Sequence, residues 1–223
     1  MPRIVAIDTT TEFGSLALIE DGRVLDETPM HSTDGFSHIL FDRLAGLLTR
    51  HAWNAREVDC YAAAAGPGSF TGVRGGLAAA KGLAEAAAKP LIGVSNLKAV
   101  ASFGTAPLRA AVLDARRGEI YGAVFDDALE SVRGEVVAKF PEWLGTLPEG
   151  VIEFLSPDPA HFQHALAATR FAEAPVTATP RAVAGAIGMI AHKMFLDGCA
   201  PDPAAADAQY VRRSDAELFW KEA

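Results

Sequence analysis

The first residues alternate little and carry almost no polar positions: RIVAID at 3–8 is an apolar run closed by an acid, the pattern of a buried strand. GSLALIE at 14–20 and RVLDET at 23–28 flank Asp21 and Gly22, a pair that favours a tight turn, so three strands form a meander. From 36 to 50 the spacing becomes helical. Phe36, Leu40, Leu44 and Leu47 make one stripe, and Ile39, Phe41 and Leu48 widen it beyond a narrow core face. A helix that apolar has a second surface to bury, either inside its own domain or against a partner. A strand at 58–65, a glycine-rich turn at 66–72 and a helix at 73–88, stopped by Pro90, come next. A short strand at 91–94 and a helix at 95–103, capped by Ser95 or Asn96, complete the first half.

The same order then restarts. Residues 108–127 read as strand, turn at Gly118 and strand; 132–140 and 150–156 read as further strands, and 159–169 and 180–197 as helices. For the last, Thr179 is placed as cap and Pro180 in the first turn, with Val183, Ile187, Ile190, Met194 and Phe195 on one face. A linker rich in Ala, Pro and Asp at 199–208 leads to an extended piece at 209–212. A C-terminal helix from Ser214 buries Leu218, Phe219 or Trp220. Each half opens on a strand ending at an aspartate, Asp8 or Asp114, before a hairpin, which hints at duplication. The pattern is α/β, a mixed sheet with helices packed on it.

Composition narrows the chemistry. A net charge of −8 argues against an independent grip on nucleic-acid phosphates, leaving only local basic pairs, Arg116 with Arg117 and Arg212 with Arg213. Cys60 and Cys199 have no CxxC or zinc spacing and read as small buried or half-buried thiols of a reducing compartment. Neither a signal-peptide pattern nor an apolar run of about 20 residues is present, so the expected location is the cytoplasm. His161 and His164 lie one helical turn apart but have no third ligand beside them, and a solvated helix face accounts for them better than a metal.

The segment GPGSFTGVRGGL at 66–77 has the look of a phosphate loop and the spacing of none. A Walker A loop needs a lysine where Val73 stands, and a Rossmann fingerprint needs a glycine where Thr71 stands. Ser69 is not flanked as a nucleophile elbow and has no assignable base. Ser69 or Thr71 instead caps the following helix, and the free N–H groups there make Ser69, Thr71 and Arg74 weak anion candidates. In that helix Gly75, Gly76 and Gly82 each cost about 0.5–1 kcal/mol relative to alanine, a cost that close packing would offset. The turn Asp8-Thr9-Thr10 has the position of the first phosphate loop of actin-like proteins, with Thr10 where a glycine would admit phosphate.

Read together, AIDTTTEFGSLAL, GPGSFTGVRGGLAAAKGLA, LIGVSNLKAVA, LDARRGEIY and the ending AQYVRRSDAELFWK resemble the bacterial TsaB family, also called YeaZ. The resemblance runs along nearly the whole chain and is weakest between about 127 and 178. It implies a duplicated actin-like, ribonuclease H-like (ASKHA) fold with a truncated second lobe: an N-terminal lobe at 1–104 joined by the C-terminal helix at 209–223, and a smaller lobe at 105–208. It implies a non-catalytic partner and activator of the TsaD transferase in making N6-threonylcarbamoyladenosine at position 37 of ANN-decoding tRNAs. The TsaE ATPase is a further partner, and tRNA is met at most through the complex. The transferase branch carries an H-x-x-x-H metal pair where this sequence has Asn96 and Val100. No metal or cofactor is therefore expected on this chain alone, and a nucleotide only at the joint with partner subunits. The resemblance also assigns helices 36–50 and 73–88 to the contact with TsaD or with a second copy, through Phe36, Leu40, Phe41, Leu44, Leu48, Arg74, Gly75, Ala79 and Gly82. A stand-alone small-molecule kinase built on Asp8-Thr9-Thr10, and a peptidase built on Ser69, are the competing readings.

Overall fold

The computed structural model describes residues 2–209 and Val211. These fall into two compact units, one reaching Ala99 and resuming at Pro180–Gln209, the other Val100–Thr179.

The first unit opens with the expected meander, β1 (Arg3–Asp8), β2 (Phe13–Glu20) and β3 (Arg23–His31), turned at Asp21 and Gly22 with both residues at positive φ. Helix α1 (Leu40–Arg50) follows, starting later than its apolar stripe because Phe36–Ile39 form a separate turn in which Ile39 N–H donates to Phe36 O. Strand β4 (Cys60–Gly66) leads through a cis Gly66–Pro67 bond into α2 (Phe70–Ala87). Ser69 is the cap, its Oγ accepting the Gly72 N–H at 3.0 Å, so the helix begins three residues before the expected 73. Strand β5 (Leu91–Ser95) and α3 (Asn96–Ala101) follow, with Ser95 Oγ accepting the Lys98 N–H. The sheet order is β3-β2-β1-β4-β5, with β2 antiparallel to its neighbours and β1, β4 and β5 parallel. Alternation divides the side chains between its faces. Val5, Ile7, Leu16 and Leu18 join Leu40, Leu44 and Leu47 of α1 and Val73, Leu77, Ala80 and Ala84 of α2 in one core.

The second unit repeats this order. Strands β6 (Leu108–Asp114), β7 (Ile120–Asp126) and β8 (Ser131–Ala138) form a meander, followed by α4 (Phe140–Leu144), β9 (Ile152–Ser156), α5 (Gln163–Leu166) and β10 (Val176–Ala178). The sheet reads β8-β7-β6-β9-β10, with the same antiparallel meander and the same parallel pairs as the first. The duplication is thus complete at the level of strand order, and the fold is the actin-like one. The truncation lies in the helices, five and four residues in α4 and α5 against eleven and eighteen in α1 and α2. Aromatic packing fills their place: Phe140 meets Phe162 with ring centroids 4.7 Å apart, and Phe154 meets Phe171 edge-on at 5.4 Å.

One assignment changes. The segment 180–208, expected in the second lobe, belongs to the first unit. Its helix α6 (Ala184–Leu196) packs against all five strands of the first sheet, on the face away from α1 and α2. Gly188 sits so close to Ile19 and Ala6 that a Cβ there has no room. The start of α6 is held by β2 and β3. Ala184 N–H donates to Ser15 Oγ at 2.9 Å and Gly185 N–H to Glu27 Oε1 at 3.0 Å, while Ser15 donates to the same carboxylate. Thr179, expected as the cap, gives its N–H to Ser156 O instead. The extended piece expected at 209 is seen at its first residue, where Gln209 N–H donates to Ala65 O at 2.8 Å. Tyr210, Arg212, Arg213 and the C-terminal helix expected from Ser214 lie outside the described residues.

Candidate functional site

The turn after β1 is where an actin-like protein would hold phosphate, and here its own side chains fill it. Asp8 is buried, and its Oδ1 accepts both the N–H and the hydroxyl of Thr10, at 2.9 and 2.7 Å. Asn96 Nδ2 donates to Thr10 Oγ1 at 2.8 Å, and Asn96 Oδ1 accepts the Gly66 N–H at 3.1 Å. Burial pushes the Asp8 carboxyl above its ordinary range, against the downward pull of the Thr10 hydrogen bonds. Threonine at position 10 therefore closes the loop through a satisfied network joining β1, β4 and α3.

The glycine-rich turn packs onto this closed loop. Ser69 N–H donates to Thr10 O at 2.7 Å and Thr9 Oγ1 donates to Gly72 O at 2.7 Å. A Cβ on Gly68 would stand 2.7 Å from Thr10 Cβ, and one on Gly72 or Gly76 would collide with Thr9. Gly68, Gly72 and Gly76 are thus required by the approach of the two threonines rather than of a phosphate. For Gly76 the close packing expected of the α2 glycines is this internal contact with Thr9. The sequence reading places Thr9 in the phosphate-loop turn and not against α2; the signal of that contact is a glycine every fourth residue, the spacing of one helix face held against a neighbour.

The anion candidates lie at the start of α2. The Ser69 hydroxyl is the helix cap, Thr71 is exposed, and the Arg74 guanidinium lies 3.8 Å over the ring of Phe70. Phe70, 46 % exposed, is the surface aromatic that the sequence reading missed, and Arg at i+4 is the spacing that gives such a stack away.

The expected partner residues divide by burial. Phe36, Leu40 and Leu44 are 5, 4 and 3 % exposed and belong to the core, a correction with a simple cause. Leu40 and Leu44 lie on the inward stripe of α1, and Phe36, in the turn before it, covers Gly14 of β2. Phe41, at 55 %, is exposed, and Leu48 and Ala79 lie half-buried at the margin of the same core. Arg74, Gly75 and Gly82 are exposed, with open space beyond the two glycines. The outer surface of α1 and α2 thus combines a large apolar ring with a flat run of small residues.

Asn96 and Val100 sit one turn apart on α3, both buried. The Asn96 amide is engaged at both ends, and Val100 brings no donor atom. His161 stands beside Asp158, at 3.1 Å. Cys60 is a buried free thiol pushed up to about 12 by burial, and Cys199 is half-buried.

A family model described as TsaD, tRNA N6-adenosine threonylcarbamoyltransferase, matches residues 28–182. The tRNA threonylcarbamoyladenosine biosynthesis protein TsaB of Escherichia coli K12 is 40 % identical over 128 residues, 55 % of this chain and 54 % of that protein. The protein of the same description from Haemophilus influenzae is 34 % identical over 155 residues, 66 % and 63 % of the two chains. The chain thus spans between half and two thirds of the length of these curated relatives. An uncharacterised Pseudomonas aeruginosa protein, described as similar to peptidase YeaZ, has a solved structure that superimposes with a TM-score of 0.77 at 25 % identity. The match covers 95 % of this chain and 100 % of that one. The chain belongs to the family that this model describes, on its TsaB, or YeaZ, branch.

Proposed function

We propose that the chain is the non-catalytic partner of a TsaD-type transferase in forming N6-threonylcarbamoyladenosine at position 37 of ANN-decoding tRNAs. The observation that carries this reading is the outer surface of α1 and α2. Phe41 offers a large apolar ring, and Gly75 and Gly82 leave a path along which another helix can approach closely. A second copy of the chain takes the same surface when the transferase subunit is absent, and a TsaE-type ATPase joins the pair.

The non-catalytic part of the reading is supported by α3. Where the transferase branch carries a metal pair, Asn96 is committed to Thr10 and Gly66, and Val100 is apolar. The reading keeps any nucleotide at the joint with partner subunits, since Thr10 fills the turn that a stand-alone kinase would need. A peptidase is disfavoured because the Ser69 hydroxyl is spent on the Gly72 N–H. The reading, a role in tRNA modification, puts the chain in the cytoplasm; among the described residues no helix is long and apolar enough to cross a membrane.

The test is co-elution with the transferase subunit. Phe41→Glu, Leu48→Glu and Ala79→Glu each put a charge into the contact, which costs several kcal/mol when it is buried unpaired. Phe41→Glu is the sharpest, because an exposed position leaves the free chain folded. Co-elution lost in all three supports the reading, and unchanged co-elution contradicts it.

A further inference from the structure

Among the described residues the two sheets end in four edge strands, β3, β5, β8 and β10. Three of them are closed by means visible in the fold. β3 carries Pro29, which has no N–H to give, and a register shift that leaves Leu25 out of the ladder. β5 is covered where Leu91 N–H donates to Pro201 O at 3.4 Å. β10 is three residues long. β8 is different: it runs for eight residues, has no proline and, among the described residues, pairs with β7 alone. Val132 on it is 47 % exposed, and a Cβ on Gly134 meets open space. A long open edge of this kind is a template for the strand of another molecule.

One residue of β8 breaks its pattern. Arg133 stands opposite Val124, and residues opposite each other on neighbouring strands share a face. Val124 is fully buried in the core that α4 covers, and Val136 and Ala138 of β8 pack against that core. Arg133 therefore leaves the strand on its inward face. Its Nε is buried and has no hydrogen-bond partner, while the residue as a whole is half-buried. Register shifts on both sides of Val124 bend β8 here and aim the side chain. The orphan nitrogen alone asks for nothing, since Trp143 Nε1 is equally unpartnered. The place of the charge is what matters. A valine would suit the inward face better, whereas a strand laid along β8 would cover the guanidinium from the open side and strip its remaining water.

We infer that Arg133 keeps the edge of β8 closed to a second copy of this chain. The strand it excludes is β8 of that copy, because two identical edges laid antiparallel satisfy each other about a two-fold axis and need no further partner. The inward charge makes that pairing costly while leaving the paired side of β8 free to hold β7.

The test is Arg133→Val in the full chain, read by sedimentation velocity. Phe41→Glu is added to every chain compared, so that the outer surface of α1 makes no self-contact of its own. With Arg133 in place the chain keeps one mass. With Arg133→Val the apparent mass rises about twofold or more across the micromolar range, and the melting temperature stays level or rises. Arg133→Lys, which keeps the charge, holds the single mass. Gly134→Lys added to Arg133→Val restores it, because a lysine on the open edge repels a second strand. An unchanged mass in Arg133→Val overturns the inference, and a melting temperature that falls with the mass unchanged makes the arginine structural and overturns it too. Association that Gly134→Lys leaves in place also overturns it, since the contact then lies elsewhere or follows unfolding. So does association of Arg133→Lys as strong as that of Arg133→Val, which takes the role away from the charge.

Discussion

Asn96 holds Thr10: its Nδ2 donates to the threonine hydroxyl at 2.8 Å, while its Oδ1 takes the Gly66 N–H at 3.1 Å. One amide thereby ties β4 and the start of α3 to the turn after β1. Asn96→Ala leaves a buried N–H without its acceptor and is expected to cost about 1–3 kcal/mol. A urea midpoint unchanged from the wild type would show that the network carries no stability.

The glycines of the turn and of α2 are expected to respond with opposite signs. Gly72→Ala and Gly76→Ala drive a Cβ into Thr9 and destabilise the chain by about 1–3 kcal/mol, as overpacking does. Gly75→Ala and Gly82→Ala meet open space on an exposed helix face and stabilise the free chain by about 0.5–1 kcal/mol. Thermal melts of the four single variants check this, and destabilisation at Gly75 or Gly82 would count against the open face.

Asp8 gives a pH signature. Its carboxyl is raised in the folded chain, so the folded state binds the proton more tightly than the unfolded state. Its contribution is fully present below the ordinary value of 3.8 and is lost as pH rises through the raised one. Asp8→Asn removes the ionisation while leaving an oxygen for Thr10. The melting temperature of the variant minus that of the wild type should grow as pH rises from about 3.8 and then level off. A difference that is flat or shrinks with pH would contradict a raised Asp8.

Glu27 reaches α6 across the sheet. Its carboxylate accepts the Gly185 N–H and the Ser15 hydroxyl, so Glu27→Ala should destabilise the chain by about 0.5–2 kcal/mol, the range for loss of a helix cap. Glu27→Gln, which keeps the oxygen, should recover part of that loss in the same denaturation experiment.

Glu27 also marks where the sequence stops being legible. The meander, the Asp21-Gly22 turn and the Ser69 cap are local, and each can be read from a few neighbouring residues. The cap of α6 comes from residues more than 150 positions away, while Thr179 and Pro180 look locally like a cap and are not one. The address of α6 is hidden for a similar reason. Ile187 and Ile190 show that α6 is buried but not against which sheet, and Gly185 and Gly188, which admit the close approach to β1, β2 and β3, carry no side chain that points there. Strand β10 is three residues long, too short to show alternation. At the site, the apolar stripe of α1 was visible, but the side of it that faces the core depends on Val5, Ile7, Leu16 and Leu18. Gly76 separates from Gly75 and Gly82 only once Thr9 is placed beside it.

The central claim is that this chain works through a transferase partner. Its most direct test is reconstitution of tRNA modification from a TsaD-type transferase, a TsaE-type ATPase and the threonylcarbamoyl donor, with and without this chain. Modified adenosine should form with the wild-type chain and be lost when the chain is omitted or replaced by Phe41→Glu. Full modification without the chain would contradict the account.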